Sequence, residues 1–123
     1  MSYTGADLIA DALAQLDVQH VFGIISIHNM PIMDAINRLG KTQIINVRHE
    51  QAGTHAADGY ARASGKLGVM IASTGPGTSN TVTGLYEAQY GSSRVMVITG
   101  QAETAFYGKG LAYVHEAENQ VPM

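Results

Sequence analysis

The chain has 123 residues, 46% of them hydrophobic and only 14% charged, with a formal net charge of −3 and no cysteine. That length holds one domain. The lack of a basic run argues against a nucleic-acid partner, and the lack of cysteine excludes disulfides and thiolate metal sites and fits a cytoplasmic protein. So little charge leaves part of the surface to be covered by another domain or subunit.

The opening MSYTGADLIADALAQL is acidic and amphipathic, which does not fit a secretory leader. No apolar run approaches the roughly 18 residues of a membrane span. Thr4 reads as an N-cap with Asp7 as the acidic partner of a capping box, and Leu8, Ile9, Ala12, Leu13 and Leu16 recur at helical spacing, predicting a first helix to about Asp17. His20–Ile25 reads as a buried strand and Ser26–Asn29 as a loop. Met30, Met33, Ile36 and Leu39 mark a second helix, with Pro31 in its first turn and Gly40 as its stop.

Gln43–Val47 is a second strand and Glu50–Ser64 a third helix, rich in Ala and Gly and so suited to close packing. Gly68–Ser73 is a third strand, Thr78–Gln89 a fourth helix, and Arg94–Thr99 a fourth strand closed by Gly100. Beyond Gln101 the pattern fades, with a short helix expected over Leu111–Asn119. Alternating helices and strands predict an α/β fold: an open parallel sheet with helices on both faces and right-handed crossovers. No strand follows the last segment, so residues 1–123 read as a truncated domain.

The stretch Asn46–Gly77 places two strand ends and two helix starts close together in sequence, and ligands of open α/β sheets bind where strand C-termini meet helix N-termini. Glu50 stands at one such point. Its plain reading is an acid at a helix N-terminus, worth roughly 0.3–1 kcal/mol. Gly75-Pro76-Gly77 is a turn into a helix; it is neither GxGxxG nor a P-loop, so it does not announce a nucleotide site.

At Arg48-His49-Glu50 followed by Ala57-Asp58-Gly59-Tyr60-Ala61-Arg62, the chain resembles the N-terminal pyrimidine-binding domain of thiamine diphosphate-dependent enzymes of the acetolactate synthase, benzoylformate decarboxylase and oxalyl-CoA decarboxylase type. Gly65-Lys66, Ser73–Gly77, Asn80, Thr83-Gly84-Leu85 and Ile98–Gln101 continue the match in order, covering nearly the whole chain. The resemblance implies decarboxylation or carboligation of a 2-oxo acid or an acyl-CoA-type substrate. It implies Glu50 as the catalytic partner of pyrimidine N1′, and Ser73, Pro76 and Asn80 as further cofactor contacts. Otherwise these three are turn and capping residues.

By the same resemblance, the diphosphate and Mg²⁺ belong to a separate domain whose Gly-Asp-Gly signature is absent here. FAD, if used, would bind a middle domain. The site would be completed in a homo-oligomer (dimer or tetramer) or by a partner subunit, and the isolated chain would be inactive. The loop after Gly23 departs from the acetolactate synthase Pro-Gly-Gly, so no substrate carries over from that enzyme. His28 in this loop, and His115 at the family's Gln-Glu position, are candidates for the substrate end; the plainer reading of each is a solvated histidine. His49 is expected to orient Glu50 or pack, and His20 and His55 to be structural. No histidine pair has metal-ligand spacing with a carboxylate, so no metal is expected in this domain.

Two other readings stay open on these residues: a short subunit of a two-chain decarboxylase, similar to the sulfopyruvate decarboxylase type, and a non-catalytic α/β binding module. The first needs a partner chain with the diphosphate domain. The second has no use for Glu50. An NAD-binding domain is disfavoured by the missing glycine fingerprint.

Overall fold

The structure, a computed structural model, describes residues 2–122. Helix α1 (Gly5–Gln15) is followed by strand β1 (His20–Gly23), α2 (Met30–Leu39), β2 (Gln43–Asn46), α3 (Glu50–Ser64) and β3 (Gly68–Ala72). Then come the short α4 (Pro76–Ser79), α5 (Val82–Tyr90), β4 (Val95–Thr99) and a 3₁₀ turn at Tyr113–His115. The four strands form one parallel sheet in the order β2-β1-β3-β4. The predicted α/β class and its parallel sheet are therefore present.

Alternation along each strand divides the core in two. Val21, Val69 and Ile71, with Ile44, Met96 and Ile98, pack under α1 and α2. Phe22, Met70 and Ala72, with Ile45, Val95 and Val97, face α3. Helix α5 packs on α3. The chain thus leaves β1 and β3, which are neighbours, toward opposite faces. That divergence makes the crevice between their C-terminal ends the topological switch point, where open α/β sheets take ligands.

Small residues set how close α3 lies to the sheet. A Cβ on Gly53 would stand 2.6 Å from Met70 Sδ and 2.9 Å from Val47 Cγ2, and one on Gly68 would overlap the Ala57 carbonyl. Buried Asp58 pairs with Arg62 at 2.9 Å, and the Arg62 guanidinium beside it holds that carboxyl below its usual range. Arg62 also reaches Glu87 of α5 at 3.1 Å. Two residues of the Asp58–Arg62 motif therefore clamp α3 to α5.

Three sequence expectations are corrected. Strand β1 stops at Gly23, because the Ile24 carbonyl accepts the Asn29 Nδ2 at 3.0 Å; Ile25 is exposed. The single helix over 78–89 is two helices. The Thr81 hydroxyl and amide both donate to the Thr78 carbonyl, at 2.7 and 3.0 Å, and this local bonding competes with a continuous ladder. The helix expected over 111–119 is reduced to the 3₁₀ turn, with positive φ at Ala112, Val114 and His115. Its carbonyls are bound from elsewhere instead: Val114 by His28, Ala117 by Gln101 and Glu118 by Tyr107. Of the two histidines expected to be structural, His20 packs edge-on to Tyr60 at 5.2 Å and His55 lies exposed on α3.

The capping box of α1 forms as predicted, with Asp7 N–H donating to Thr4 Oγ1 at 3.3 Å and Thr4 N–H to Asp7 Oδ2 at 2.8 Å. The Thr4 hydroxyl first, then the Arg38 guanidinium, lower the Asp7 carboxyl from 3.8 to about 2. A depressed carboxyl contributes stability above its unfolded value and loses it as pH falls through its folded value. The stability gap between wild type and Asp7→Asn should therefore be full well above pH 3.8, shrink as pH falls through about 2, and vanish only below that. Urea midpoints across that window measure it; a gap that ignores pH would refute the linkage.

Candidate functional site

Glu50 opens α3 after the three residues Val47–His49 that follow the end of β2 at Asn46. His49 is the N-cap: its φ of −156° is extended, and its Nδ1 accepts the Gln51 N–H at 3.2 Å. A ring that accepts at Nδ1 carries its proton on Nε2. His49 thus acts on Glu50 through the backbone, by setting where the helix starts.

The Glu50 carboxylate is half-buried against the β3–α4 junction. Its Oε2 accepts the Asn80 Nδ2 at 3.0 Å. Its Oε1 faces Gly77, where an added Cβ would come within 3.3 Å of it and 2.9 Å of Ser73 Cβ. Ser73, Gly77, Asn80 and Glu50 are therefore gathered at one place. Pro76, between them in the chain, begins α4 and is exposed on the turn. The Thr78 hydroxyl donates to the Ser73 carbonyl at 2.7 Å, which ties the end of β3 to the first turn of α4.

The two candidate histidines lie on the other flank of the same turn. His28 sits under Gly100, where a Cβ would collide with its main chain at 2.7 Å. Its Nε2 is 2.9 Å from the Val114 carbonyl, and since a carbonyl only accepts, Nε2 carries the proton. Only Nδ1 of His28 is left for a ligand. His115 is exposed and contributes its backbone, with its carbonyl against Gly75 and 3.4 Å from Thr74 Oγ1. The β3–α4 turn thus joins both groups, through Gly75 on one side and Gly77 on the other.

Two residues that build this region had no role in the sequence reading. Asn29, fully buried, accepts the Ser26 N–H at 2.8 Å and donates to the Ile24 carbonyl, so it shapes the loop after β1. A polar residue before a helix signals a cap, but here the side chain bonds backward. Gln120 is a clasp across more than forty residues of chain. It accepts from Thr74 Oγ1 at 2.9 Å and Gly75 N at 3.2 Å, and donates to the Gly100 carbonyl at 2.8 Å. No local pattern marks such a residue.

Among the described residues, no group of three or more His, Cys, Asp or Glu is placed to hold a metal ion, and no helix is long and apolar enough to cross a membrane. Chemically, the cluster offers a carboxylate hydrogen-bonded at one oxygen, with the other beside a glycine and without a protein partner among the described residues. That suits a ring nitrogen carrying a proton, so the residues fit the pyrimidine end of the cofactor that the resemblance implies.

Loss of the Gln120 amide orphans buried groups at roughly 1–3 kcal/mol each. Gln120→Ala should speed amide exchange at Gly75 and through residues 101–122, while α1 and α2 keep their protection. Unchanged exchange at Gly75 would show that the clasp does not hold the turn.

Residues 3–123 match the family described as "Thiamine pyrophosphate enzyme, N-terminal TPP binding domain". The chain is 47% identical over 108 residues to an acetolactate synthase of Arthrospira platensis, covering 85% of this chain and 19% of that one. It is 48% identical over 101 residues to an acetolactate synthase large subunit of Parasynechococcus marenigrum, covering 80% and 16%. To the acetolactate synthase large subunit of Lactococcus lactis it is 41% identical over 106 residues, covering 86% and 18%. The chain thus spans under a fifth of the length of the curated relatives it matches.

Proposed function

Since this chain belongs to the thiamine pyrophosphate enzymes, matching their N-terminal TPP binding domain, we propose that the β2–α3 and β3–α4 junctions bind the aminopyrimidine of thiamine diphosphate. The whole enzyme would act on a 2-oxo acid or a related acyl substrate by decarboxylation or carboligation. The observation that carries this is the Glu50 carboxylate at the switch point, held at Oε2 by Asn80 with Oε1 beside Gly77 and without a hydrogen-bond partner among the described residues.

The cofactor, when bound, supplies the nucleophilic carbon for attack on the substrate carbonyl. Glu50 would hold a proton at ring N1′ and so promote loss of the proton from the thiazolium C2. His49, by starting α3 at Glu50, keeps the carboxylate on the sheet's C-terminal edge. Ser73 and Pro76 are proposed to flank the ring. His28 Nδ1 and the exposed His115 ring remain proposals for the substrate end, both carried on segments over the strand termini.

The diphosphate and Mg²⁺ are assigned to another domain or a partner chain, and FAD to a further domain if it is used at all. The relatives' greater length supports the first assignment. The site would then be completed in a homo-oligomer, or by a partner subunit. The name "large subunit" in two of those relatives supports an assembly in their case.

In the whole enzyme, Glu50→Gln should slow C2 proton exchange of bound thiamine diphosphate, followed by NMR, on the order of 10²–10⁴-fold. An unchanged exchange rate would sink the role of Glu50. Calorimetry of the 123-residue chain alone, with thiamine diphosphate and Mg²⁺, should show no tight binding; tight binding would overturn the need for a second half-site.

A further inference from the structure

The two oxygens of the Glu50 carboxylate are not equivalent. Oε2 is 3.0 Å from Asn80 Nδ2, while Oε1 lies toward the bare Cα of Gly77. A carboxylate can only accept, so the amide nitrogen of Asn80 must be the end that faces it. We propose that Asn80 is a positioning residue: it holds Glu50 through Oε2, so that Oε1 is the oxygen presented, and it does not itself touch the cofactor. This rests on the reading of Glu50 as the partner of ring N1′.

The backbone around Asn80 is built for that contact. Its own N–H closes the last turn of α4 on the Pro76 carbonyl at 3.0 Å. The ladder breaks one residue later, at Thr81, whose buried hydroxyl donates to the Thr78 carbonyl at 2.7 Å. Asn80 therefore sits at a fixed helix break, thirty residues along the chain from Glu50 and independent of the register of α5. Glu50 has three side-chain torsions and stands in the first turn of a helix whose cap is exposed. Without a partner it would sample many rotamers, and misplacing a reacting group by about 1 Å can cost on the order of 10²-fold in rate. A charge-assisted hydrogen bond to one oxygen removes most of that freedom and still leaves the other oxygen unblocked.

The test uses the full-length enzyme with Asn80→Ala and Asn80→Asp, each alone and with Glu50→Gln. Asn80→Asp keeps the shape, removes the donor and sets a second carboxylate beside Glu50. Both single variants should slow C2 exchange on the order of 10–100-fold and change the calorimetric Kd for thiamine diphosphate by less than about threefold. Neither should have a further effect when Glu50 is already Gln. A Kd weakened about tenfold or more, equally in the Glu50→Gln background, would overturn the proposal and make Asn80 a direct cofactor contact. So would wild-type exchange in Asn80→Asp.

The contact is also read without cofactor. Shifts in Tm from Asn80→Ala and Glu50→Ala should be non-additive in the cofactor-free enzyme, and additive shifts would refute the hold. Normal C2 exchange in Glu50→Gln alone would refute the reading of Glu50 itself, so the two failures are distinguishable.

Discussion

Gly68 begins β3 directly against Ala57 of α3, so closely that a single added carbon would overlap the Ala57 carbonyl. Gly53, a turn earlier, lies against the Met70 and Val47 side chains. At Gly68 helix and strand thus meet backbone to backbone, and the distance between them there is set by hard contact rather than by adjustable side chains. Everything at the C-terminal edge depends on this contact. With α3 seated there, Glu50 in its first turn arrives beside the end of β3, where Ser73 and Gly77 begin the next junction. A bulkier helix would stand off the sheet and carry Glu50 away from Asn80.

The two ends of α3 are secured by different chemistry. At the C-terminal half, Asp58 and Arg62 form a clamp that reaches Glu87 and so joins α3 to α5. At the N-terminus, an imidazole caps the first turn by accepting through Nδ1. The first is an ion pair with one member buried, which resists displacement; the second is an exposed hydrogen bond that fixes where the helix starts. Between them α3 is held in register along its own axis, and the position of one carboxylate becomes a property of the whole layer.

Over this edge runs the segment after β4, which has little regular structure. It is held by side chains that bind its carbonyls: His28 on Val114, Gln101 on Ala117 and Tyr107 on Glu118, with Gln120 inserted beneath. His28, a candidate for chemistry, is in part a structural donor. Its Nε2 proton is committed, and this limits what the ring can offer a ligand. The β3–α4 turn is the meeting point, gripped by Gln120 at Gly75 and lying against Glu50 at Gly77.

Much of the architecture was legible in the chain because it rests on local rules. Apolar spacing, the Thr4–Asp7 capping box, the Gly40 stop and the alternation of helix with strand specify elements within a few residues of themselves, and from these the parallel α/β sheet follows. The ordered motifs from Arg48 to Gln101 also pointed to the family, and the match over residues 3–123 agrees. The sequence could not reveal contacts between residues distant in the chain. The loss of helix after Leu111, the clasp of Gln120 and the pairing of Asn80 with Glu50 depend on which distant groups meet in space, whereas the split at Thr81 and the backward bonding of Asn29 are local choices between competing hydrogen bonds that apolar spacing does not decide. Hydrogen bonds of that kind have no period along the chain. Only the tertiary structure decided which oxygen of Glu50 is held and which is free.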